Sequence, residues 1–298
     1  MWNMHEFLDK YSVVMASLLL KRHTWFNKSI ESPTFTEQLD SIELEMPEIT
    51  GERYYEVKGT YPGGTIDPAF HVVRFIGWDK PTLIYHHGNN EQPFNYGFGS
   101  KNTFKSVVMA NKDRFDANII NLRAPFHNDG MRRYLEKIGY LSEFTAMLSA
   151  SVKLVQQLVE TLKTKGVGKV VVTGVSLGGW VTNLHRSWFN SANAYVPMFA
   201  GAALDELFLS SYYRKLASPL VSAHPEALTK VLNFTTQFTS RKEHNVFPLL
   251  ARYDRIIEYD RQKRCYGDMP IAIIDKGHIT GALDSNVLCS HILKIMNG

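Results

Sequence analysis

The sequence has few cysteines and no dense cluster of basic residues. Only two of its 298 residues are cysteines, Cys265 and Cys289, and neither belongs to a Cys-x-x-Cys pair. Two such cysteines do not suggest a disulfide framework. The formal net charge is +4, and the basic clusters Arg132-Arg133 and Arg261 to Arg264 are short and interrupted. Because a nucleic-acid-binding face carries a denser basic stripe, we expect no nucleic-acid partner.

A long apolar run is also missing near the N-terminus. Tyr11 to Leu20 is apolar but too short to span a bilayer, and the charged residues around it do not fit a secretory signal. Apolar residues at helical spacing instead predict an amphipathic helix that packs on the body of the protein, with a dimer or membrane contact as the less favoured alternatives. They are Phe7, Leu8, Tyr11, Val14, Met15, Leu18 and Leu19. We expect a cytoplasmic protein without stable membrane insertion, and the oligomeric state stays open.

Patterns for bound nucleotides and metals are lacking as well. No Gly-x-Gly-x-x-Gly or P-loop pattern follows the first predicted parallel strand, which argues against a nucleotide-binding α/β protein. The pair His86-His87 has no third ligand at a metal-binding spacing, so both histidines are expected to be structural. No metal site is predicted, and the residues give no reason to invoke a cofactor.

Short apolar segments and helical patterns alternate along most of the chain. Hydrophobic residues make up 44% and charged residues 21%, values that are typical of a folded globular protein. The predicted strands are Thr82 to Tyr85, Asn118 to Leu122, Val170 to Thr173, Tyr195 to Phe199, Phe247 to Leu250 and Ile271 to Ile274. The predicted helices are Thr103 to Asn111, Ser142 to Lys165, Trp180 to Phe189 and Asn286 to Met296. This alternation implies a mostly parallel sheet covered on both faces by helices.

Two segments depart from that rhythm. Residues 1–53 are predicted to form a helix and an irregular lead-in to a main domain of residues 54–298. At the start of that domain, the β-rich runs Tyr54 to Tyr61 and Phe70 to Ile76 flank the turn signal Pro62-Gly63-Gly64, so we expect an antiparallel pair at a sheet edge. Residues 204–245 have helical but no clear strand character, which predicts a helical cap inserted between two strands.

The pentapeptide Gly174-Val175-Ser176-Leu177-Gly178 is the most informative motif. It follows the apolar run Val170 to Val172 and opens a predicted helix. Gly-x-Ser-x-Gly between a strand and a helix is typical of a nucleophile elbow, a sharp turn that exposes the serine hydroxyl. Such a turn needs small residues two positions before and after the serine, and Gly174 and Gly178 meet that need. A plain strand-to-helix turn with an incidental serine is the alternative.

Downstream of this motif, Asp254 follows one predicted strand and His278 follows the next. From about Tyr54 onward, the element order, the elbow and these two residues resemble the α/β-hydrolase superfamily. Its members place a serine, an acid and a histidine in this order after three strands of the sheet. The resemblance implies an α/β-hydrolase fold, with a mostly parallel central sheet flanked by helices on both faces and a helical cap insertion.

The resemblance also implies a catalytic triad. Ser176 would be the nucleophile, His278 the base that takes its proton, and Asp254 the acid that orients the imidazole. Asp254 precedes His278 by 24 positions. Four other carboxylates lie in this part of the sequence: Glu258 and Asp260 lie on the same connection, Asp205 follows the preceding strand, and Asp275 is too close to His278 in sequence to face it.

Acyl transfer also requires donors for the oxygen that becomes negative. One is the backbone amide of Leu177, which is inherent in the elbow. For the second, the resemblance implies the amide of Asn89, in the loop that begins His86-His87-Gly88; an ordinary Gly-Asn turn is the alternative. The loop lacks the His-Gly-Gly-Gly run of one lipase and esterase branch, and the elbow carries serine rather than the aspartate of haloalkane dehalogenases, so both subclasses are disfavoured.

These features together predict a serine hydrolase of carboxylesterase type that acts on a small acyl substrate. Apolar residues of the predicted cap would either wall an acyl pocket or form the core of the cap. They are Leu207, Phe208, Leu209, Tyr212, Tyr213, Leu216, Phe234 and Phe238. A peptidase, a thioesterase or an acyltransferase with the same triad remains open, as does a non-catalytic binding protein with a hydrolase-like fold.

Overall fold

A computed structural model describes residues 3–20, 24–100, 102–128 and 130–298. The strands of this described part are β1 Glu43–Glu45, β2 Tyr54–Glu56, β3 Lys58–Tyr61, β4 Gly64–Ile66, β5 Ala69–Arg74, β6 Thr82–His86, β7 Asn118–Arg123, β8 Val170–Val175, β9 Ala194–Met198, β10 Leu249–Ala251 and β11 Ala272–Ile274. Its α-helices are α1 Met4–Leu20, α2 Phe35–Ser41, α3 Thr103–Val107, α4 Gly130–Lys137, α5 Leu141–Thr164, α6 Leu177–Trp188, α7 Asp205–Leu209, α8 Pro219–Ala223, α9 Pro225–Leu232, α10 Thr235–Ser240, α11 Tyr259–Tyr266, α12 His278–Ala282 and α13 Ser285–Asn297. Two 3₁₀ helices span Met109–Arg114 and Tyr212–Leu216.

Eight of these strands form one sheet in the order β2-β5-β7-β6-β8-β9-β10-β11. β5 runs antiparallel to both of its neighbours, β2 and β7, and all other neighbouring pairs are parallel. Parallel strands need crossover connections, and helices supply most of them here. The predicted fold class, a mostly parallel sheet between layers of helices, is confirmed.

The central strands are buried on both faces of this sheet. Every residue of β6, β7, β8 and β9 is buried. Side chains alternate between the two faces, so Ile84 joins one apolar core while its neighbours Leu83 and Tyr85 join the other. The long helix α5 and the elbow helix α6 contribute to the first core, whereas α3 and α13 contribute to the second. Burial on both faces explains apolar runs such as Val170 to Val172 in β8, although β7 also buries Asn118, Asn121 and Arg123.

The predicted antiparallel pair at the sheet edge is only partly correct. β2 does pair with β5 at the edge, but the run Tyr54 to Tyr61 breaks after Glu56. Its second half, β3, leaves the main sheet and joins β1 and β4 in a separate three-stranded sheet. The turn at Gly63 and Gly64 therefore connects β3 to β4 and not to β5, because it folds the chain back so tightly that the next three residues pair with β3 first.

The N-terminal helix forms as predicted, but with the opposite face inward. Five of the apolar residues expected to pack on the body are between 38% and 80% exposed: Phe7, Tyr11, Met15, Leu18 and Leu19. The buried residues of α1 are Asp9 and Val13. The expectation of packing through the large apolar stripe is wrong, because backbone amides of neighbouring loops bind a carboxylate on the other face.

The segment between β9 and β10 consists of α7 to α10 and the 3₁₀ helix Tyr212–Leu216, with no strand among its described residues. The helix α9 packs on α7 and on the long helix α5. None of the helices that the structure describes has the length and apolar character needed to cross a bilayer.

Candidate active site

Ser176 lies at the sharp turn between β8 and α6. Its backbone has φ 57° and ψ −110°, a region that non-glycine residues rarely adopt and that is often found at functional sites. The backbone can make this turn because the residues two positions before and after Ser176 are glycines, which have no Cβ. A Cβ on Gly178 would lie 2.1 Å from the backbone oxygen of His86, and one on Gly174 would lie 2.6 Å from the same oxygen. The strained geometry expected of a nucleophile elbow is therefore present at Ser176.

His278 and Asp254 meet at this turn, each carried by the loop after a sheet strand. The Nε2 atom of His278 lies 3.1 Å from Oγ of Ser176, and its Nδ1 atom lies 2.7 Å from Oδ2 of Asp254. The other oxygen of Asp254 accepts hydrogen bonds from the amides of Ile256 and Ile257, at 2.8 Å and 2.7 Å. Since Nδ1–H donates to Asp254, Nε2 of the neutral ring is free to accept the serine proton.

Three of the alternative acids bind other residues. Asp205 binds the side chains of Thr229 and Asn233 between β9 and β10. Glu258 binds Arg261. Asp275 binds Arg252 at the surface. Among the carboxylates considered from the sequence, Asp254 is the one that the described structure brings to His278.

The charge of this cluster favours a protonated imidazole. Burial by itself lowers the pKa of His278, but the charge and hydrogen bond of Asp254, together with the charge of Asp9, outweigh burial and raise the pKa above the usual value. An imidazole with a raised pKa holds a transferred proton more readily. The arrangement can thus take a proton from Ser176 and stabilise the resulting cation.

Asn89 and Leu177, whose amides are the expected oxyanion donors, line the same pocket as Ser176. Leu177 is the first residue of α6, and amides of a first helical turn have no acceptor within the helix. Asn89 lies in the wall of the same pocket as Ser176, Leu177 and His278. Its side-chain oxygen accepts a hydrogen bond from the hydroxyl of Tyr134, which fixes the side chain within the loop.

His86 and His87 support this loop as neutral, buried residues. Burial lowers the pKa of His86 to about 4 and holds the pKa of His87 well below the usual range. The Nδ1–H of His87 donates to the Gly88 oxygen at 2.7 Å, and its Nε2 accepts from the amide of Ala124 at 3.0 Å. These bonds tie the loop after β6 to the loop after β7. No group of three potential metal ligands occurs among the described residues.

An apolar pocket of about 480 Å³ opens over Ser176 and His278. Besides these two residues and Asn89 and Asn90 of the loop after β6, its wall is almost entirely apolar. The other lining residues are Ser12, Val13, Ala16, Leu19, Leu20, Trp25, Leu135, Ile138, Phe144, Leu177, Trp180, Leu204, Leu207, Phe208, Tyr213, Leu216, Ile256, Ile257 and Ile279. Of the apolar cap residues singled out in the sequence, four line the pocket, whereas Phe234 and Phe238 are buried in the core.

Comparisons with known proteins support the same fold. Residues 120–215, about a third of the chain, match the sequence model of a family described as alpha/beta hydrolase domain containing 18. An esterase of Pyrococcus furiosus superposes with a TM-score of 0.55 at 14% identity, over 85% of this chain and 97% of that one. Acetyl xylan esterase 1 of a Thermoanaerobacterium species superposes with a TM-score of 0.53 at 15% identity, over 92% and 98% of the two chains.

The chain has the α/β-hydrolase fold. A third structure, the acylaminoacyl peptidase of Pyrococcus horikoshii, has a TM-score of 0.54 at 14% identity over 83% of this chain and 42% of the peptidase chain. No curated protein matches the sequence significantly.

Two residues that the sequence did not point to lie beside the site. Glu91 accepts hydrogen bonds from the amide and hydroxyl of Thr103, both at 3.0 Å, and so ties the loop after β6 to α3. Burial raises the pKa of Glu91 to about 7, although the bonds from Thr103 and Gly88 oppose that shift. Asp9 reaches the loops of Asp254 and His278 from α1. Neither residue belongs to a local motif, so only knowledge of the fold could have indicated them.

Proposed function

We propose that the protein is a serine hydrolase that cleaves carboxylic esters through an acyl-enzyme intermediate. The observation that carries the proposal is the continuous contact from Oγ of Ser176 through the imidazole of His278 to the carboxylate of Asp254. This arrangement at a strained elbow is the geometry that a weak alcohol nucleophile needs in order to become reactive.

In the proposed reaction, Oγ of Ser176 attacks the carbonyl carbon of the ester while its proton passes to Nε2 of His278. The carbonyl oxygen becomes negative and is bound by the amides of Asn89 and Leu177. When the carbon–oxygen bond to the alcohol breaks, Nε2 gives the proton to the departing oxygen. A water molecule then attacks the acyl-enzyme and loses a proton to Nε2, which returns that proton to Oγ as the acid is released. Asp254 holds the imidazole through both half-reactions.

The pocket favours an ester with an apolar acyl or alcohol part. Its wall beyond the catalytic groups consists almost entirely of aliphatic and aromatic side chains, and its volume falls within the range of small-ligand sites. The names of the superposed esterases agree with ester hydrolysis, although at 14% and 15% identity they support the fold alone.

We further propose that residues 204–245 act as a cap and that residues 54–298 form the hydrolase domain, preceded by a lead-in of residues 1–53. Support for the cap comes from the pocket, to which this segment contributes Leu207, Phe208, Tyr213 and Leu216. Support for the lead-in comes from α1, which contributes Ala16 and Leu20 to the same wall. We also propose that the protein is located in the cytoplasm.

A substrate panel tests this function. We expect p-nitrophenyl esters to be hydrolysed by the wild-type protein and not by Ser176→Ala, with peptide, thioester and acyl-acceptor substrates tested in parallel. Faster turnover of a peptide or a thioester would move the assignment to a peptidase or a thioesterase with the same triad. Absence of turnover on the whole panel, with a folded protein, would contradict the proposal and favour a binding protein.

A further inference from the structure

The N-terminal helix reaches the catalytic loops through one fully buried carboxylate, Asp9. Its Oδ2 atom accepts hydrogen bonds from the amide of Arg255 at 3.0 Å and from the amide of His278 at 2.8 Å. Its Oδ1 atom accepts from the amide of Ile279 at 3.0 Å. Arg255 directly follows Asp254, so a single side chain binds the backbone beside the acid and the backbone of the base.

These three hydrogen bonds offset the cost of burying the charge of the Asp9 carboxylate. A buried carboxylate is costly unless it is hydrogen-bonded, and bonds from N–H groups to an ionised oxygen are among the strong ones. The guanidinium of Arg255 does not supply the compensation, because it binds Glu6 of the same helix at 2.8 Å. The Asp9 carboxylate is therefore bound by the backbone of the two loops, and those loops are held in turn by the carboxylate.

The loop of His278 is shaped to receive this helix. A Cβ on Gly277 would lie 2.8 Å from the backbone oxygen of His5 and 2.9 Å from Oδ2 of Asp9, so only glycine permits the approach. One turn before Asp9, the Nδ1 atom of His5 lies 2.9 Å from Oγ1 of Thr280. The helix thus contacts the loop at two successive turns.

We propose that Asp9 is a positioning residue, which ties the Asp254 loop to the His278 loop and so holds the imidazole at its distance from Ser176. This inference rests on the proposed function, because positioning matters only if the three residues react as a triad. Asp9 is not expected to contact the substrate through its carboxylate, because its two oxygens are bound to backbone amides.

Asp9 also acts on His278 through its charge. Burial lowers the pKa of His278, Asp254 raises it, and Asp9 raises it further. The other titratable or charged groups at this junction are His5 and Glu6 on α1 and Tyr253 and Arg255 beside Asp254. Removing the charge of Asp9 while leaving Asp254 in place should therefore lower the pKa of His278.

The test compares Asp9→Asn with the wild type in the full-length protein. Asparagine keeps the size of the side chain but replaces one accepting oxygen with an NH₂ group, which cannot accept the loop amides. We expect kcat on a p-nitrophenyl ester to fall by about 10- to 100-fold, because a small displacement of a reacting group has an effect of this size. KM should change little, and the acid limb of the kcat/KM profile should move to lower pH with the pKa of His278.

Glu6→Gln is the matched control on the same helix. It breaks the surface ion pair with Arg255 but leaves the three bonds of Asp9, so its kcat and pH profile should match those of the wild type. A folded Asp9→Asn variant with the kcat and the His278 pKa of the wild type would overturn the proposal. So would a loss of stability without any shift of that pKa, since this would indicate a purely structural contact.

Two further measurements do not depend on turnover. An NMR titration of the His278 ring reports its pKa in both proteins even if the wild type hydrolyses no ester, so failure of the proposed function is distinguishable from failure of this inference. If Asp9→Asn does not fold, hydrogen exchange of the wild-type protein tests whether Asp9 binds the loop amides. The amides of His278 and Ile279 should be protected to the level of the central strands, and exchange at the rate of an exposed loop would contradict the proposal.

Discussion

Oγ of Ser176 and Nε2 of His278 lie 3.1 Å apart although 102 positions separate the two residues in the chain. Two different elements make this possible. Ser176 lies at the elbow directly after the central strand β8, and His278 lies after β11. The contact suits general-base activation of the serine, and its consequences can be measured.

If the triad acts as one unit, its members should not contribute additively. Ser176→Ala and His278→Ala should each remove nearly all ester turnover, and the double variant should be little worse than either, because the second residue has nothing left to assist. Steady-state kcat for the three proteins checks this. Losses that multiply in the double variant would mean that the two residues act independently.

The elbow should not tolerate a side chain at Gly178. In Gly178→Ala, the new Cβ would approach the backbone oxygen of His86 to 2.1 Å, and we expect a loss of about 3 kcal/mol or more in the free energy of unfolding. Gly168→Ala is the matched control, since its Cβ would meet no atom within 4 Å. Urea unfolding measures both. Equal stabilities of the two variants would show that the elbow has room for a side chain at position 178.

Narrowing the pocket should shift the preference for acyl length. Ala16 lines the pocket from α1, so Ala16→Phe should lower kcat/KM for octanoyl esters by about tenfold or more while sparing acetyl esters. Met15→Phe places the same ring at the neighbouring exposed position and should change neither value. A p-nitrophenyl ester series provides the measurement. Parallel losses on short and long esters in Ala16→Phe would exclude this pocket as the acyl site.

Buried neutral histidines should make the protein sensitive to acid. Burial lowers the pKa of His185 to about 3, whereas an unfolded histidine titrates near 6.5. Below that value the unfolded chain binds a proton that the folded chain does not, so stability is present above about pH 6.5 and is lost as the pH falls.

The loss attributable to His185 between about pH 7 and pH 5 is on the order of 2 kcal/mol. His185→Gln should therefore show a smaller drop in unfolding free energy than the wild type over this range. The exposed His224 serves as the control, and His224→Gln should retain the full drop. Urea unfolding at pH 7 and pH 5 measures this drop for the wild type and for both variants. An unchanged drop in His185→Gln would show that His185 has the same pKa in the folded and the unfolded chain.

The parts of the fold that the sequence predicted are those that local patterns determine. Runs buried on both faces, such as Val170 to Val172, identify central strands because the strands of a sheet between two layers of helices are mostly apolar. The elbow was recognisable because a strained turn restricts the residue types at Gly174 and Gly178. The chain order of Ser176, Asp254 and His278 then gave the three residues that the structure brings together.

What the sequence did not predict depends on contacts between distant residues. The direction in which α1 faces could not be read from its periodicity, because the large apolar stripe is exposed and the buried face carries Asp9. The partners of Asp9 lie 246 to 270 positions further along the chain, so no spacing rule indicates them. The break after Glu56 likewise depends on which strand β3 meets first.

Covalent labelling by a fluorophosphonate probe, followed by intact-mass measurement, tests the central claim most directly. We expect the wild-type protein to gain the mass of one probe less hydrogen fluoride and Ser176→Ala to gain none, because only an activated serine hydroxyl displaces the fluoride at an appreciable rate. Asp254→Asn should label much more slowly than the wild type, since its imidazole is no longer held for proton transfer. An unlabelled wild-type protein that is folded, or equal labelling of Ser176→Ala, would contradict the assignment of Ser176 as the nucleophile.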